Sequence, residues 1–359
     1  MKNKTISPNS NIKIGKKHIS FDSQTFIIAE AACNHMCDME LAKKMIDEAK
    51  TSGADAIKFQ TYKAERLVCQ ETQSYWKYST GAKSQYEYYK NLDKFDRAEY
   101  KKLFDYASGK GIIAFSTPFD VESASMLNDL GAPLFKIASC DILDVRLLRH
   151  IARFKKPMIL SAGAGTLDEI ESAVDTVFNE GNTDLILMVC TLSYPADNGD
   201  AHLRRILTFR EKFPDIIIGL SDHTRPDENM IIPSIAVALG TKVIEKHYTL
   251  DRSMSGSGHS FSVEPKDLKK MVENIKLTEK ILGNNEIKVY EVEKKARKNA
   301  RRSLVATRDI KKGEKLIDVL VGVKRPDIGL SPNLIDKIVG KIAKSDIKKD
   351  SQITFEQVE

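Results

Sequence analysis

Eight short apolar runs, each followed by a helical segment, set the tightest limit on what this chain can fold into. The runs are TFIIAEAA, DAIKFQTY, GIIAFSTP, PLFKIAS, PMILSAG, DLILMVCTL, IIIGLSDHT and KVIEKHYT. They are nearly continuous in apolar residues, as parallel strands covered on both faces must be. Between them lie amphipathic stretches such as MELAKKMIDEAKTSG, where Leu41, Ala42, Met45, Ile46 and Ala49 form one helical stripe that stops at Gly53. Eight β-then-α units are the count of a (β/α)8 barrel, so the expected fold is an α/β TIM barrel.

Polar residues gather at the C-terminal ends of these runs: Glu30; Lys58 and Gln60; Ser116 and Thr117; Lys136 and Ser139; Ser161; Thr191; Ser221 and His223; His247. In a barrel those ends converge on one mouth, where barrel enzymes carry their chemistry. One polar end would be noise, but a polar residue at all eight marks a site.

The regular alternation stops after the helical pattern EPKDLKKMVENIKLTEKIL. We expect a barrel domain over 1–284, a charged linker over 285–299, and a small β-rich domain over 300–359, where Gly and Pro punctuate short strands. The basic stretch EVEKKARKNARR at 291–302 reads as a solvated linker or helix face. A net charge of +6 is mild, and without interleaved aromatics or a recognisable module no nucleic-acid partner is expected. Five cysteines without framework spacing suit a reducing compartment. The N-terminus lacks the apolar core of a signal peptide, and no run approaches the ~18 apolar residues of a membrane span. The expectation is therefore a cytoplasmic protein with no membrane partner.

Two stretches invite special readings. CNHMC at 33–37 has the look of a metal knuckle, but in an extended chain Cys33, His35 and Cys37 stand roughly 6.5–7 Å apart, too wide for one tetrahedral zinc. The other cysteines supply no second ligand pair. The span 62–96 is long and carries Tyr75, Trp76, Tyr78, Tyr86, Tyr88 and Tyr89. It reads either as a plug on the barrel rim or as a flap over a substrate.

His223 and His247 each follow a buried run, on strands that the order makes neighbours. Two imidazoles with the remaining positions open suit Mn²⁺ or a similar divalent ion completed by water and substrate oxygens. Lys58, Lys136, Ser139, Ser161 and Ser221 add cations and hydroxyls at the same mouth, the chemistry for a bound phosphate and carboxylate. A strand-end lysine also suits a Schiff base, so a class I aldolase is an alternative. A non-catalytic sugar- or polyanion-binding protein is another.

AEAACNH, GADAIKFQTY, FSTPFD, FKIAS, ILSAGAGTLDEI, GLSDHT and IEKHYTLD, in this order, resemble the sialic acid synthase family, the bacterial nonulosonate synthases related to N-acetylneuraminate synthase. The resemblance spans nearly the whole chain and includes a C-terminal antifreeze-like (SAF) domain. It implies condensation of phosphoenolpyruvate with an N-acetylated hexosamine, either N-acetylmannosamine or a di-N-acetylated 6-deoxyhexose. The product would be a nine-carbon 2-keto-3-deoxy acid, with phosphate released.

By that resemblance His223 and His247 hold the metal, with Mn²⁺ expected and Mg²⁺ or Co²⁺ as alternatives. Lys58, Thr117, Lys136, Ser139, Ser161 and Ser221 grip phosphoenolpyruvate. Glu30 handles protons, Gln60 and Tyr194 face the sugar, and Glu245 orients a water. Arg325, in VKRPDIG, matches an arginine that reaches the sugar's N-acyl group across a domain-swapped homodimer.

The sequence departs from the family pattern at four places. CNHMC stands where valine and an Asn-Gly pair are more usual. SCD replaces SGE, which puts Asp141 in the acidic position on a shorter arm. Leu192 stands where some members have asparagine, and Gly258 where aspartate is common, next to His259. The last two point to a remodelled sugar pocket.

Overall fold

The computed structural model describes residues 8–76 and 80–359. It divides into two compact units, Met1–Gly283 and Asn284–Glu359.

The first unit opens with an antiparallel hairpin, β1 (Asn11–Ile14) and β2 (Lys17–Ser20), that turns at Gly15 with φ 59°. Eight parallel strands follow: β3 (Phe26–Ala32), β4 (Ala56–Thr61), β5 (Ile113–Pro118), β6 (Phe135–Ile137), β7 (Met158–Ser161), β8 (Leu185–Cys190), β9 (Ile217–Asp222) and β10 (Val243–His247). They pair in sequence order and β10 closes on β3, so the expected TIM barrel is the observed fold. The helix Met39–Thr51 shows how sequence sets each crossover. Asp38 caps it by accepting from Glu40 N and Leu41 N, while Ala42, Met45, Ile46 and Ala49 are buried against the barrel.

Side chains alternate across each strand, which splits the core in two. The outward set packs under the helices and includes Ile27, Ala29, Ile57, Phe59, Leu160, Leu187 and Ile244. The inward set forms a separate apolar layer from Phe26, Ile28, Ala56, Phe115, Leu134, Ile159, Ile186, Met188, Ile217 and Val243. Ile12, Ile14 and Ile19 of the hairpin complete that layer and floor the barrel. Sequence reading passed over this hairpin, although the alternation of Ile12 and Ile14 before a glycine turn signals it.

Glycine is required at 219. A Cβ there would lie 2.8 Å from Val243 O and 3.1 Å from Met188 Cε, so its absence lets β9 close on its neighbours.

Near the start of the second unit stands an exposed helix, Glu291–Ala300, which takes up most of the stretch expected as a charged linker and runs one residue past it. An antiparallel pair follows, β11 (Ser303–Ala306) and β12 (Val321–Lys324). The other strand-like pairings there are isolated bridges, among them Ile310 with Ile347 and Ala343 with Val358. They surround a small core of Leu304, Ile310, Leu316, Ile338, Ile347 and Ile353. Among the described residues no helix is long and apolar enough to cross a membrane.

Candidate active site

One inward step beyond the apolar layer, the strands change from apolar to polar. Glu30 follows Ile28, Lys58 follows Ala56, Thr117 follows Phe115, Lys136 follows Leu134, Ser161 follows Ile159, Cys190 follows Met188 and Glu245 follows Val243. Ser221, on β9, lies two steps beyond Ile217. Gln60, His223 and His247 stand one step higher still. Strand parity thus turns eight separate sequence positions into one ring.

The ring is a buried charge network. Lys58 Nζ lies 3.0 Å from Glu30 Oε2 and 3.5 Å from Glu245 Oε1, and donates to Thr117 Oγ1 at 2.9 Å. Lys136 Nζ is 3.7 Å from Glu245 Oε1, and Ser221 Oγ donates to the same oxygen at 3.1 Å. Gln60 Nε2 donates to Glu30 Oε1 at 3.4 Å, and Ser139 Oγ accepts from Gly163 N at 2.9 Å. Lys58 and Lys136 are each only 3% exposed.

Burial raises the Glu30 carboxyl to about 7, with Lys58 pulling it down and Glu245 pushing it up. Burial alone would also raise Glu245, but Lys136 and Lys58 hold it below the usual carboxylate range. Burial opposes the charge on Lys58, which Glu245 and Glu30 more than restore. At Lys136 burial prevails and lowers the ammonium. One carboxyl titrates near neutrality while its partner stays ionised, the separation that acid–base chemistry uses.

His223 and His247 face each other with ring centroids 5.3 Å apart. His223 Nδ1 donates to the Thr191 carbonyl at 2.8 Å, which in the neutral ring puts the lone pair on Nε2. Burial, followed by His223 and Lys58, drives His247 well below its usual range, so its imidazole is neutral. Its Nδ1 is buried without a hydrogen-bond partner. Burial opposes a charge on His223, but Cys190 and the Thr191 carbonyl more than offset it and raise that ring above its usual range, so a divalent cation would displace a proton there and find a bare nitrogen on His247. Among the described residues no group of three or more His, Cys, Asp or Glu side chains converges to hold one unaided, so water and substrate oxygens would have to complete the shell.

Ser161 Oγ and Glu245 Oε2 are likewise buried without hydrogen-bond partners. Unsatisfied buried polar atoms are costly and rare, and those of Ser161, Glu245 and His247 stand on inward positions of the same mouth, where a polar ligand could satisfy them.

Above the ring lies a cavity lined by Gln60, Tyr75, Trp76, Leu192, Tyr194, His247 and Phe261, among others. The aromatic span packs on the rim as part of its wall: Trp76 meets Tyr88 at 5.0 Å, Tyr88 meets Tyr89 at 5.0 Å, and Tyr75 reaches Tyr194 at 6.4 Å. Tyr78 lies outside the described residues. Tyr194 packs on His223 at 4.3 Å. Asp141 sits half-buried on the turn after β6, its carboxyl raised to about 7 by burial and then by Asp144. The lining on that turn comes from Ala138, Ser139 and Cys140. Arg325 is exposed on the second unit, just beyond β12.

CNHMC takes no part in the histidine pair. His35 stacks on Phe95 at 4.8 Å, Cys33 Sγ meets Tyr62 Oη at 3.0 Å, and Cys37 Sγ donates to Leu92 O. Asn34 Nδ2 donates to Tyr248 O at 2.9 Å and so ties the first turn to the last strand.

The NeuB family model matches residues 45–287, and the SAF domain model residues 301–359. The chain belongs to the NeuB family. Among NeuB-like relatives, the N,N'-diacetyllegionaminic acid synthase of Campylobacter jejuni is 38% identical over 92% of this chain and 99% of that enzyme. The pseudaminic acid synthase of the same species is 37% identical over 91% and 94%. The crystal structure of the N-acetylneuraminic acid (sialic acid) synthetase from Leptospira borgpetersenii, in complex with citrate, superposes with a TM-score of 0.72 at 36% identity, covering 81% of this chain and 96% of that one.

Two members of the NeuB-family mouth escaped sequence reading. Cys190 Sγ lies 3.8 Å from His223 Nδ1, and its inward parity with Met188 was the available signal. Phe261 packs edge-on to His247 at 5.1 Å. A Cβ on Gly258 would fall 2.8 Å from Phe261 Cζ, so the ring fills space that a side chain at 258 would need.

Proposed function

We propose that this NeuB-family chain condenses phosphoenolpyruvate with the open-chain aldehyde of a di-N-acetylated 6-deoxyhexose, giving a nonulosonic acid and phosphate. The observation that carries the reading is one buried ring in which two lysines and several hydroxyls stand beside a pair of facing histidines. A phosphate-and-carboxylate grip next to a divalent-ion site is what this reaction needs.

Lys58, Lys136, Thr117, Ser139, Ser161 and Ser221 bind phosphoenolpyruvate. Ser161 Oγ, without a partner, is ready to donate to it. His223 and His247 would hold a divalent ion, which would supply Lewis-acid polarisation to the aldehyde. Carbon 3 of the enol attacks the aldehyde carbon, and water adds at the cationic carbon 2. The tetrahedral intermediate then expels phosphate by C–O cleavage. Glu30, poised near neutrality, passes the proton at the new hydroxyl, and ionised Glu245 orients the water.

The sugar assignment rests on the wall. Leu192 and Phe261 place apolar surface beside His247, where an asparagine and an aspartate would offer partners to sugar hydroxyls. A methyl group and an acetamido group suit that wall better than free hydroxyls do. Arg325 acts on the N-acyl group of a sugar bound in a neighbouring chain's barrel, which makes the active form a swapped homodimer.

Product mass spectrometry with phosphoenolpyruvate, Mn²⁺ and a panel of N-acetylated hexosamines tests this directly. A di-N-acetylated 6-deoxyhexose should exceed N-acetylmannosamine in kcat/KM by about 10-fold or more. Preference for N-acetylmannosamine would refute the sugar assignment, and no phosphate release with any sugar would refute the reaction.

A further inference from the structure

Behind the two histidines, on the outward face of the same strands, lies a second charged group that the proposed chemistry does not use. Lys246 Nζ donates to Asp222 Oδ2 at 2.6 Å, to the Thr224 carbonyl at 2.8 Å and to Thr224 Oγ1 at 3.3 Å. Asp222 Oδ1 accepts from Thr224 N at 2.9 Å and from Thr224 Oγ1 at 2.7 Å. Both charged side chains are 2% exposed. All three ammonium protons and both carboxylate oxygens are engaged, so the group is complete without a ligand.

Its place in the ladder is what matters. Asp222 and Lys246 are the last register pair between β9 and β10, and the histidines are the next residue on each strand. Beyond that pair the two strands exchange no further ladder bonds. Lys246 therefore grips the residues on both sides of His223 while adjoining His247 itself. A buried ion pair is weak evidence for stability, and an apolar pair of similar volume often serves as well. What an apolar pair lacks is direction: it cannot fix the backbone angle from which each imidazole projects.

We propose that Asp222, Thr224 and Lys246 form a positioning strap that sets the separation and aim of His223 and His247. The inference rests on the reading of those histidines as the divalent-ion ligands. Its test is Mn²⁺ binding, followed by the electron paramagnetic resonance signal of free Mn²⁺, in wild type, Asp222→Asn, Lys246→Met and the double variant. The double variant leaves no unpaired buried charge, so it should melt near wild type even if the single variants do not fold. It should bind Mn²⁺ about 10- to 100-fold more weakly, the range found when groups behind metal ligands are removed. Phosphoenolpyruvate affinity without metal, measured by calorimetry, should change less than about 3-fold, because Lys58 and Lys136 stand on other strands and Ser221, though next to Asp222, is held in the ladder by its register pair Glu245. A stable double variant with wild-type Mn²⁺ affinity overturns the strap and leaves the metal reading intact. A wild-type protein that binds no Mn²⁺ removes both.

Discussion

Lys58 Nζ meets Glu30 Oε2 at 3.0 Å across the register pair that joins β3 to β4. On its other side Glu30 is in register with His247. The carboxyl raised to about 7 thus sits between the cation assigned to phosphoenolpyruvate and the imidazole assigned to the metal. No other carboxylate in the ring has both neighbours in register.

Because its folded pKa lies above the ordinary 4.5, Glu30 holds its proton more tightly in the native state. Its favourable contribution is present below about 4.5 and is lost as pH rises through about 7. Glu30→Gln should therefore flatten the fall in melting temperature between about pH 5 and 7.5. It should also remove an inflection near neutrality from the kcat/KM profile. A wild-type inflection that persists in the variant assigns the titration to another group.

Lys136→Met removes a buried cation from the proposed phosphate grip. Phosphoenolpyruvate affinity should fall by about 2 kcal/mol or more, as expected for a desolvated charge partner. Unchanged binding in a calorimeter would show the phosphate to lie elsewhere in the mouth.

Chelation should abolish turnover, and His247→Ala should lower it ~10³-fold or more, because each removes the group that polarises the aldehyde. Full activity in EDTA counts against the mechanism. A Schiff-base aldolase would ignore the chelator and be trapped on a lysine by borohydride.

Gly258→Asp alone forces Cβ into the Phe261 ring and should reduce activity with every sugar. Gly258→Asp with Phe261→Ala makes room for the carboxylate and should move preference toward N-acetylmannosamine by about 10-fold. If the double variant keeps the original preference, this wall does not select the sugar.

Arg325→Ala should weaken sugar use and spare phosphoenolpyruvate binding. Mixing it with Lys58→Ala, after dissociation and reassociation, makes about half the dimers mixed, each with one site whose two parts are intact. About a quarter of wild-type activity should return. Verified exchange without recovery rejects the swap.

The barrel was legible because its signal is repeated: eight buried strands and their polar ends leave few alternatives. The histidine pair was legible because strand order makes β9 and β10 neighbours. What sequence withheld was depth. His35 and His247 look alike as letters, yet one stacks against Phe95 and the other projects into the mouth with a bare nitrogen. Cys190 reads in sequence as one of five cysteines without framework spacing, although two-residue parity with Met188 places it inside. Phe261 was invisible for another reason: its contact with Gly258 depends on the path of a turn rather than on a periodic element. The floor hairpin was short and preceded the first strong run, so its two-residue alternation carried little weight.

That floor makes the barrel a vessel with one opening. Ile12, Ile14 and Ile19 stop the end opposite the mouth, and the polar ring lies just above them. A ligand on Lys136 sits beneath one that touches Tyr194 and Phe261, and both must pass the same aromatic rim. On the proposed chemistry, traffic through this door would be sequential: the three-carbon partner would go in ahead of the sugar, and phosphate would wait behind the nine-carbon product.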